Sequence, residues 1–490
     1  MAKRETDTLS IVVVGASGDL ARKKIIPAFF ALYCQGFLPP DFHLFGFART
    51  PFTHEQFRDR IRENLTCRYT PSHSCEDRMN EFLGHCFYGA GDYASKDSFL
   101  DLFAVMKKAE GRQDANRLFY LAVPPAIFAE AARAIAGAGL VQCDSALPWS
   151  RVVVEKPFGE DRESSDRLGR ELAKVFIEDQ TFRIDHYLGK EVVQNLMVLR
   201  FANLIFEPVW NANFIRNVQI TWREDIGVEE RGGYFDRYGI IRDVMQNHLT
   251  QILALIAMEP PSDPRSRFVR HEKVKALQAV APLKLEDLVI GQYTGGERGG
   301  RRCPAYTREK GVPPGSRTPT YAAAAFTIDN PRWAGVPFLV RAGKGLKEKR
   351  TEIRIQFRPL RGHVFCGDDG CPPANELSIR VQPDEAIHLT IVNKVPGLEL
   401  KLAPRDLDLH YNRVFAETIP EAYESLLLNA IHDDRSLFIG RDELAAAWDI
   451  FTPALHEMAS REVKPEPYAC FSEGPAAADD LATARGVTWA

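Results

Sequence analysis

At 490 residues the chain exceeds what one ordinary hydrophobic core organises, so two domains are expected. Hydrophobic residues at 45% beside charged residues at 26% describe a soluble globular chain, and a net charge of -4 excludes general attraction to nucleic acid. Every apolar run is broken well short of the ~20 residues of a membrane helix, and nine scattered cysteines are not the framework of a small secreted domain.

The opening MAKRETDTLS leads straight into an apolar strand and carries no secretory signal. The run SIVVVGASGDLARKKIIPAFFALY then gives a strand, a turn through Gly15 and Gly18, and helical spacing from Leu20 to Tyr33. Backbone amides and the positive end of a helix at such a turn suit a phosphate. GASGDL departs from the GxGxxG fingerprint, however, and an ordinary tight turn reads the same way. A second strand, FHLFGFART, ends in Arg49 and Thr50 where an acid would hold a free ribose hydroxyl, which favours NADP over NAD if the turn binds a nucleotide. The strands LFYLAVPP from Leu118 and RVVVEKPFG from Arg151 alternate with helical patterns, which implies a parallel sheet covered on both faces. Lys156 stands at the end of the last strand, the edge where open parallel sheets bind ligands, or is simply a strand-end lysine in solvent.

RIDHYLGKE, Arg183 to Glu191, is dense in chemistry. If Asp185 starts a helix, His186 and Lys190 share a face with Tyr187 beside them, a cationic pair suited to a phosphate dianion. The plain alternative is a helix cap and a solvated lysine. Beyond it the texture changes: NVQITWRED, TYAAAAFTID, TEIRIQFRP and ELSIRVQP follow with few helices between them, predicting a mainly antiparallel sheet. The expected division is therefore a Rossmann-like α/β dinucleotide-binding domain over 1–183 and a large α+β domain over 184–490. A helix from Gly239 to Glu259 carries Ile241, Val244, Met245, Leu249, Ile252, Leu255 and Ile256 on one face, with His248 in its middle. A buried imidazole is either a satisfied core histidine or a general base held in one tautomer by a carboxylate, for which Asp185 is a candidate. Residues 294–320, dense in Gly, Pro and Arg, read as a long solvated loop, and Glu421–His432 reads as a shorter helix.

GASGDLARKK, FARTP, LFYLAVPP, VEKPFG, RIDHYLGKE, ERGGYFD, GIIRDVMQNHL, GVPFLVRAGK, IRVQPDEAI and IPEAYESLLL together resemble the glucose-6-phosphate dehydrogenase family, from about Ser10 to Pro475. The resemblance implies oxidation of the anomeric carbon of D-glucose 6-phosphate, with NADP as hydride acceptor and no metal. It implies that His248 takes the hydroxyl proton while Asp185 orients it. His186, Tyr187 and Lys190, joined by Lys344 and Lys349, would hold the phosphate. Glu224, Asp243 and Lys156 would hold sugar hydroxyls, with Lys156 also near the cofactor. Gly15, Ser17, Gly18, Asp19, Leu20, Arg49 and Tyr120 fall at the family's cofactor positions. A homodimer or homotetramer, joined through the antiparallel sheet, is implied as well. Some members hold a second, structural NADP on that sheet; Arg341, Arg350, Arg354 and Arg380 match its basic positions, whereas His388 and Thr390 stand where a tyrosine and a lysine are typical.

TCRYTPSHSCEDRMNEFLGHC, with Cys67 and Cys75 eight apart, resembles the redox-regulated plastid branch. That implies a disulfide controlled by thioredoxin and a home in the plastid stroma, with the cytoplasm as the alternative. Two ordinary thiols remain open, as does a metal cluster with His73, His85 and Cys86, although the spacing lacks a CxxC knuckle. Rival functions are an NADP oxidoreductase of a free sugar and a non-catalytic partner subunit.

Overall fold

The computed structural model describes residues 8–111, 115–141, 148–360, 364–366 and 371–489. Residues 1–7, read above for targeting, lie outside them. The chain forms two compact units, each gathered from separate stretches. The first comprises Met1–Gly189, Asp263–Arg270 and Thr418–Leu444; the second comprises Lys190–Ser262, His271–Glu417 and Ala445–Ala490. The first unit thus draws in two segments from beyond Arg183, where the texture of the sequence changes.

In the first unit, β1 (Leu9–Val14), β2 (Phe42–Ala48), β3 (Cys86–Ala90), β4 (Asn116–Leu121), β5 (Ser150–Val154) and β6 (Thr181–Ile184) form a parallel sheet in the order β3-β2-β1-β4-β5-β6. This is the doubly wound order, whose direction of winding reverses between β1 and β4. All six residues of β1 are buried, as strands covered on both faces require. A two-residue strand, Phe438–Ile439, adds antiparallel to β6. It arrives with the helix Ala422–His432, which buries Leu426, Leu427 and Ala430. The helix expected from Leu20 begins as a π-helical turn, Ala21–Ile25, and continues as Ile26–Cys34.

The second unit is built on β7 (Ile215–Arg223), β8 (Leu288–Tyr293), β9 (Gly296–Arg298), β10 (Arg301–Cys303), β11 (Tyr321–Phe326), β12 (Phe338–Gly343), β13 (Arg350–Phe357), β14 (Glu376–Gln382), β15 (Ala386–Lys394) and β16 (Leu402–His410). Its main sheet runs β16-β15-β14-β13-β7-β12-β11-β8 and ends on the short strand Glu466–Tyr468. The pairing is antiparallel except between β7 and β12 and between β8 and that last strand.

Two expectations need correcting here. Residues 294–320 are largely exposed but not one irregular loop: β9 and β10 form a hairpin whose two turn residues, Gly299 and Gly300, have φ of 56° and 78°, the left-handed pair a type I′ turn requires. Cys303 is disulfide-bonded to Cys470, and Tyr306, 0% exposed, donates its hydroxyl to Asp236 at 2.8 Å. The helix expected from Gly239 is also not one amphipathic rod. Gly239 itself is non-helical (φ 66°, ψ 172°), a π-helical segment Ile241–Leu249 follows, and an α-helix resumes over Thr250–Ala257. From Asp243 to Met258 every residue is buried, polar ones included, so the segment is covered all round.

Candidate active site

The turn after β1 lies where the sheet order reverses. Gly15 and Ala16 donate their amides to Phe47 O at 2.8 and 3.2 Å, and Gly18 donates to Gly15 O at 3.0 Å. Ser17, Asp19 and Leu20 supply further amides at this turn, groups of the kind that can receive a phosphate. The Asp19 carboxylate takes hydrogen bonds from Lys23 (2.9 Å) and Arg22 (3.0 Å), which lower its pKa and offset its charge. Arg49 is exposed just past β2, its guanidinium 5.4 Å from the Tyr93 ring centre. A glycine turn at the first strand and an exposed cation beyond the second fit an NADP phosphate and ribose phosphate.

Gly15 allows a close approach of two strand ends. At its φ of +94°, a Cβ would stand 2.3 Å from the Ala122 carbonyl oxygen, and Ala122 is fixed by donating its own amide to Val14 O at 2.8 Å. Gly15→Ala is expected to cost about 3 kcal/mol through left-handed strain plus the clash. Thermal melting with and without NADP checks this; wild-type melting and wild-type cofactor stabilisation would refute it.

Tyr120, expected at the cofactor, is 0% exposed and donates its hydroxyl to Glu155. Glu155 is the residue that sequence reading missed. It is 9% exposed, directly precedes the half-buried Lys156, and also accepts from the Tyr423 hydroxyl at 3.1 Å. Burial pushes this carboxyl upward and the two phenols with it. The acid was visible at the strand end, but nothing local announced the tyrosine that reaches it from far along the chain. Tyr423 also stacks on His186, with ring centres 6.3 Å apart and planes at 12°.

Asp185, 1% exposed, accepts the Tyr187 amide at 2.9 Å. It closes a local turn rather than starting a helix. His186 and Lys190 therefore do not share a helical face, which corrects the sequence expectation. Gly189 permits this turn, since a Cβ there would meet the Ala422 carbonyl oxygen at 2.4 Å.

Cys67 and Cys75 are disulfide-bonded. Inside the loop they close, Arg68 and Tyr69 both reach Glu424, at 2.7 and 2.8 Å. Glu424, 2% exposed, neighbours Tyr423 on the same helix. The metal-cluster alternative does not assemble among the described residues: His85 Nδ1 bonds Phe42 O at 2.8 Å, and the Cys86 thiol donates to Phe82 O.

In the second unit, Lys190 occupies the N-cap position of the helix Glu191–Phe201, and its ammonium donates to Gln382 Oε1 at 3.0 Å. Glu224 and Lys344 follow the parallel strands β7 and β12, whose last residues Arg223 and Gly343 pair. Lys344, 8% exposed, is bonded to the Glu224 carboxylate, with its Nζ 5.3 Å from the Trp222 ring centre. Two residues expected to hold different parts of a substrate are thus one ion pair. Tyr468 steadies it by donating to Lys344 O at 2.7 Å. Lys349 is exposed, one residue before β13. Asp243 and His248 lie on the π-helical segment, 8% and 3% exposed, and the His248 amide donates to Asn247 Oδ1 at 2.6 Å.

The arginines expected at a second nucleotide have partners of their own. Arg354 bonds Glu352 and Glu376, Arg380 bonds Asp384, Arg350 lies 3.7 Å from Glu348, and Arg341 donates to Thr221.

A family profile described as glucose-6-phosphate dehydrogenase, NAD binding domain, matches residues 12–195, and one described as glucose-6-phosphate dehydrogenase, C-terminal domain, matches residues 197–490. The chain is 53% identical over 485 residues to the Arabidopsis thaliana protein named glucose-6-phosphate 1-dehydrogenase 1, chloroplastic, spanning 98% of this chain and 84% of that one. It is 47% identical over 492 residues to glucose-6-phosphate 1-dehydrogenase 5, cytoplasmic, of the same plant, spanning 98% and 92%. A solved structure described as glucose-6-phosphate dehydrogenase in complex with its substrate glucose-6-phosphate matches at a TM-score of 0.91 and 41% identity, covering 100% of both chains.

Proposed function

The chain belongs to the glucose-6-phosphate dehydrogenase family, and on that premise we propose that it oxidises C1 of D-glucose 6-phosphate to 6-phosphoglucono-1,5-lactone, the first step of the oxidative pentose phosphate pathway. NADP, when bound, supplies the hydride acceptor. The observation that carries a phosphorylated substrate is Lys190. A cation at the N-cap opposes the helix dipole, and that arrangement becomes favourable when the helix end and the ammonium together receive an anion.

In this reading His248 accepts the proton of the C1 hydroxyl, and Asp185 orients the imidazole and stabilises its charged form. His186, Tyr187, Lys190 and Lys349 hold the phosphate. Glu224, Asp243 and Lys156 take sugar hydroxyls, and Lys344 acts with Glu224 because its ammonium is committed to that carboxylate. The dinucleotide falls to the residues up to Arg183, chiefly Ser17, Gly18, Asp19, Leu20 and Arg49.

Cys67 and Cys75 regulate the enzyme through thioredoxin in the plastid stroma. Their bond supports this, as does the run of contacts from Arg68 and Tyr69 through Glu424 and Tyr423 to Glu155 and His186. The 47% identity to a protein named cytoplasmic keeps the cytoplasm as the second reading. The chain assembles as a homodimer or homotetramer; the exposed Leu398, Leu400 and Leu407 on the β15–β16 hairpin support a second copy covering them.

The test is spectrophotometric NADP reduction with glucose 6-phosphate against glucose, before and after a dithiol reductant. Glucose 6-phosphate is expected to win by ~10³ or more in kcat/KM, since a site built for a charged group rejects the analogue lacking it. Equal rates would overturn the phosphate site. No rate with either sugar would favour a partner subunit. The regulatory reading fails if Cys67→Ser responds to the reductant as the wild type does.

A further inference from the structure

β16 forms the free edge of the main sheet and pairs antiparallel with β15, placing His388 opposite Asp408 and Ala386 opposite His410. Alternate strand residues share a face, so His388, Asp408 and His410 project from the same side. His388 Nδ1 lies 2.7 Å from Asp408 Oδ1, and the two imidazoles are 5.2 Å apart at 76°. Each of the three residues offers a ligand atom within 4.8 Å of the others.

That internal hydrogen bond accounts for His388 and Asp408 but not for His410. Its Nδ1 is buried without a hydrogen-bond partner among the described residues, with the nearest carboxylate oxygen, on Asp384, 3.6 Å away. A buried ring nitrogen left unpaired is costly and calls for a missing partner. The surroundings favour a positive one: Asp384 and Asp408 lie at this end of the hairpin, and Arg380 is paired with Asp384. Two imidazoles and one carboxylate are a donor set for a first-row divalent ion, with water completing a tetrahedral shell.

We propose that His388, Asp408 and His410 form a site for a divalent transition ion, Zn²⁺ in particular, separate from the residues assigned to catalysis. The ion fastens the edge strand β16 to β15 and gives His410 Nδ1 the partner it lacks.

The test titrates Zn²⁺ alone into chelator-treated, desalted full-length protein by calorimetry, and follows Co²⁺ by visible absorption. Wild type is expected to bind one ion per chain at this site, to melt at a higher temperature with it, and to give the intense visible bands of tetrahedral Co²⁺. Asp408→Asn and His410→Ala are expected to weaken Zn²⁺ binding ~100-fold or more and to lose the Co²⁺ bands. No Zn²⁺ binding by the wild type, or binding and bands unchanged in both variants, overturns the proposal. If either variant folds poorly, the wild-type Co²⁺ spectrum decides: octahedral weak bands alone refute the site.

Discussion

Replacing His248 with asparagine lowers kcat for glucose 6-phosphate by ~10² or more and leaves KM within a few-fold, because a positioned base contributes ~10²–10⁴ to proton transfer. Asparagine keeps a polar, hydrogen-bonding side chain in a place that is 3% exposed, but it cannot accept the proton. Its surroundings tolerate an amide: Gln246, Asn247 and Gln251 are buried on the same helical run. The π-helical winding also fits the role, since such segments occur often at functional sites. Steady-state NADP reduction measures both constants. Equal losses in kcat and kcat/KM would mark an interaction made only in the transition state, whereas a raised KM with unchanged kcat would move His248 among the binding groups.

Lys190→Ala is expected to raise KM for glucose 6-phosphate by ~10–100-fold while kcat stays within a few-fold. A hydrogen bond to a charged group contributes ~1.5–3 kcal/mol, which converts to that range. Stability supplies a second readout. Removing a cation from a helix N-cap relieves an unfavourable ~0.3–1 kcal/mol with the dipole, so the variant should melt no lower than wild type despite losing its bond to Gln382. With glucose, which has no phosphate to hold, variant and wild type should behave alike. A collapse in kcat at unchanged KM would reverse the assignment, and a drop in melting temperature would make Lys190 a structural residue.

Much of the first sheet was legible locally. The apolar runs of β1, β2, β4 and β5 carry their own signal, because strands buried on both faces must be apolar throughout. The glycine turn was legible for the same kind of reason, although the Ala122 carbonyl that leaves no room for a Cβ at Gly15 was not. RIDHYLGKE was recognisable as a functional segment, yet its conformation was misjudged. An aspartate before polar residues reads equally as a helix cap or as a turn, and only the Tyr187 amide chose between them.

Where the sequence failed, the partners are far apart in the chain. Tyr423 meets Glu155 across 268 positions, Glu224 meets Lys344 across 120, and Cys303 meets Cys470 across 167. The Gly- and Arg-rich stretch reads as a loop because composition reports turns but not a short hairpin or what it is tied to. His248 was placed correctly as buried, but on a helical face that the π winding removes.

By itself, then, the sequence determined which residue types stand ready: the glycine turn, the strand-end Lys156, the dense turn at Asp185 and the buried His248. Local periodicity and short motifs record burial and backbone conformation, and these are properties of neighbouring residues. Only the tertiary structure decided how those groups are held, by Glu155 between two tyrosines, by Lys344 on Glu224, and by Lys190 at a helix end. Those contacts depend on strand order and chain return, which bring together residues that no local pattern connects.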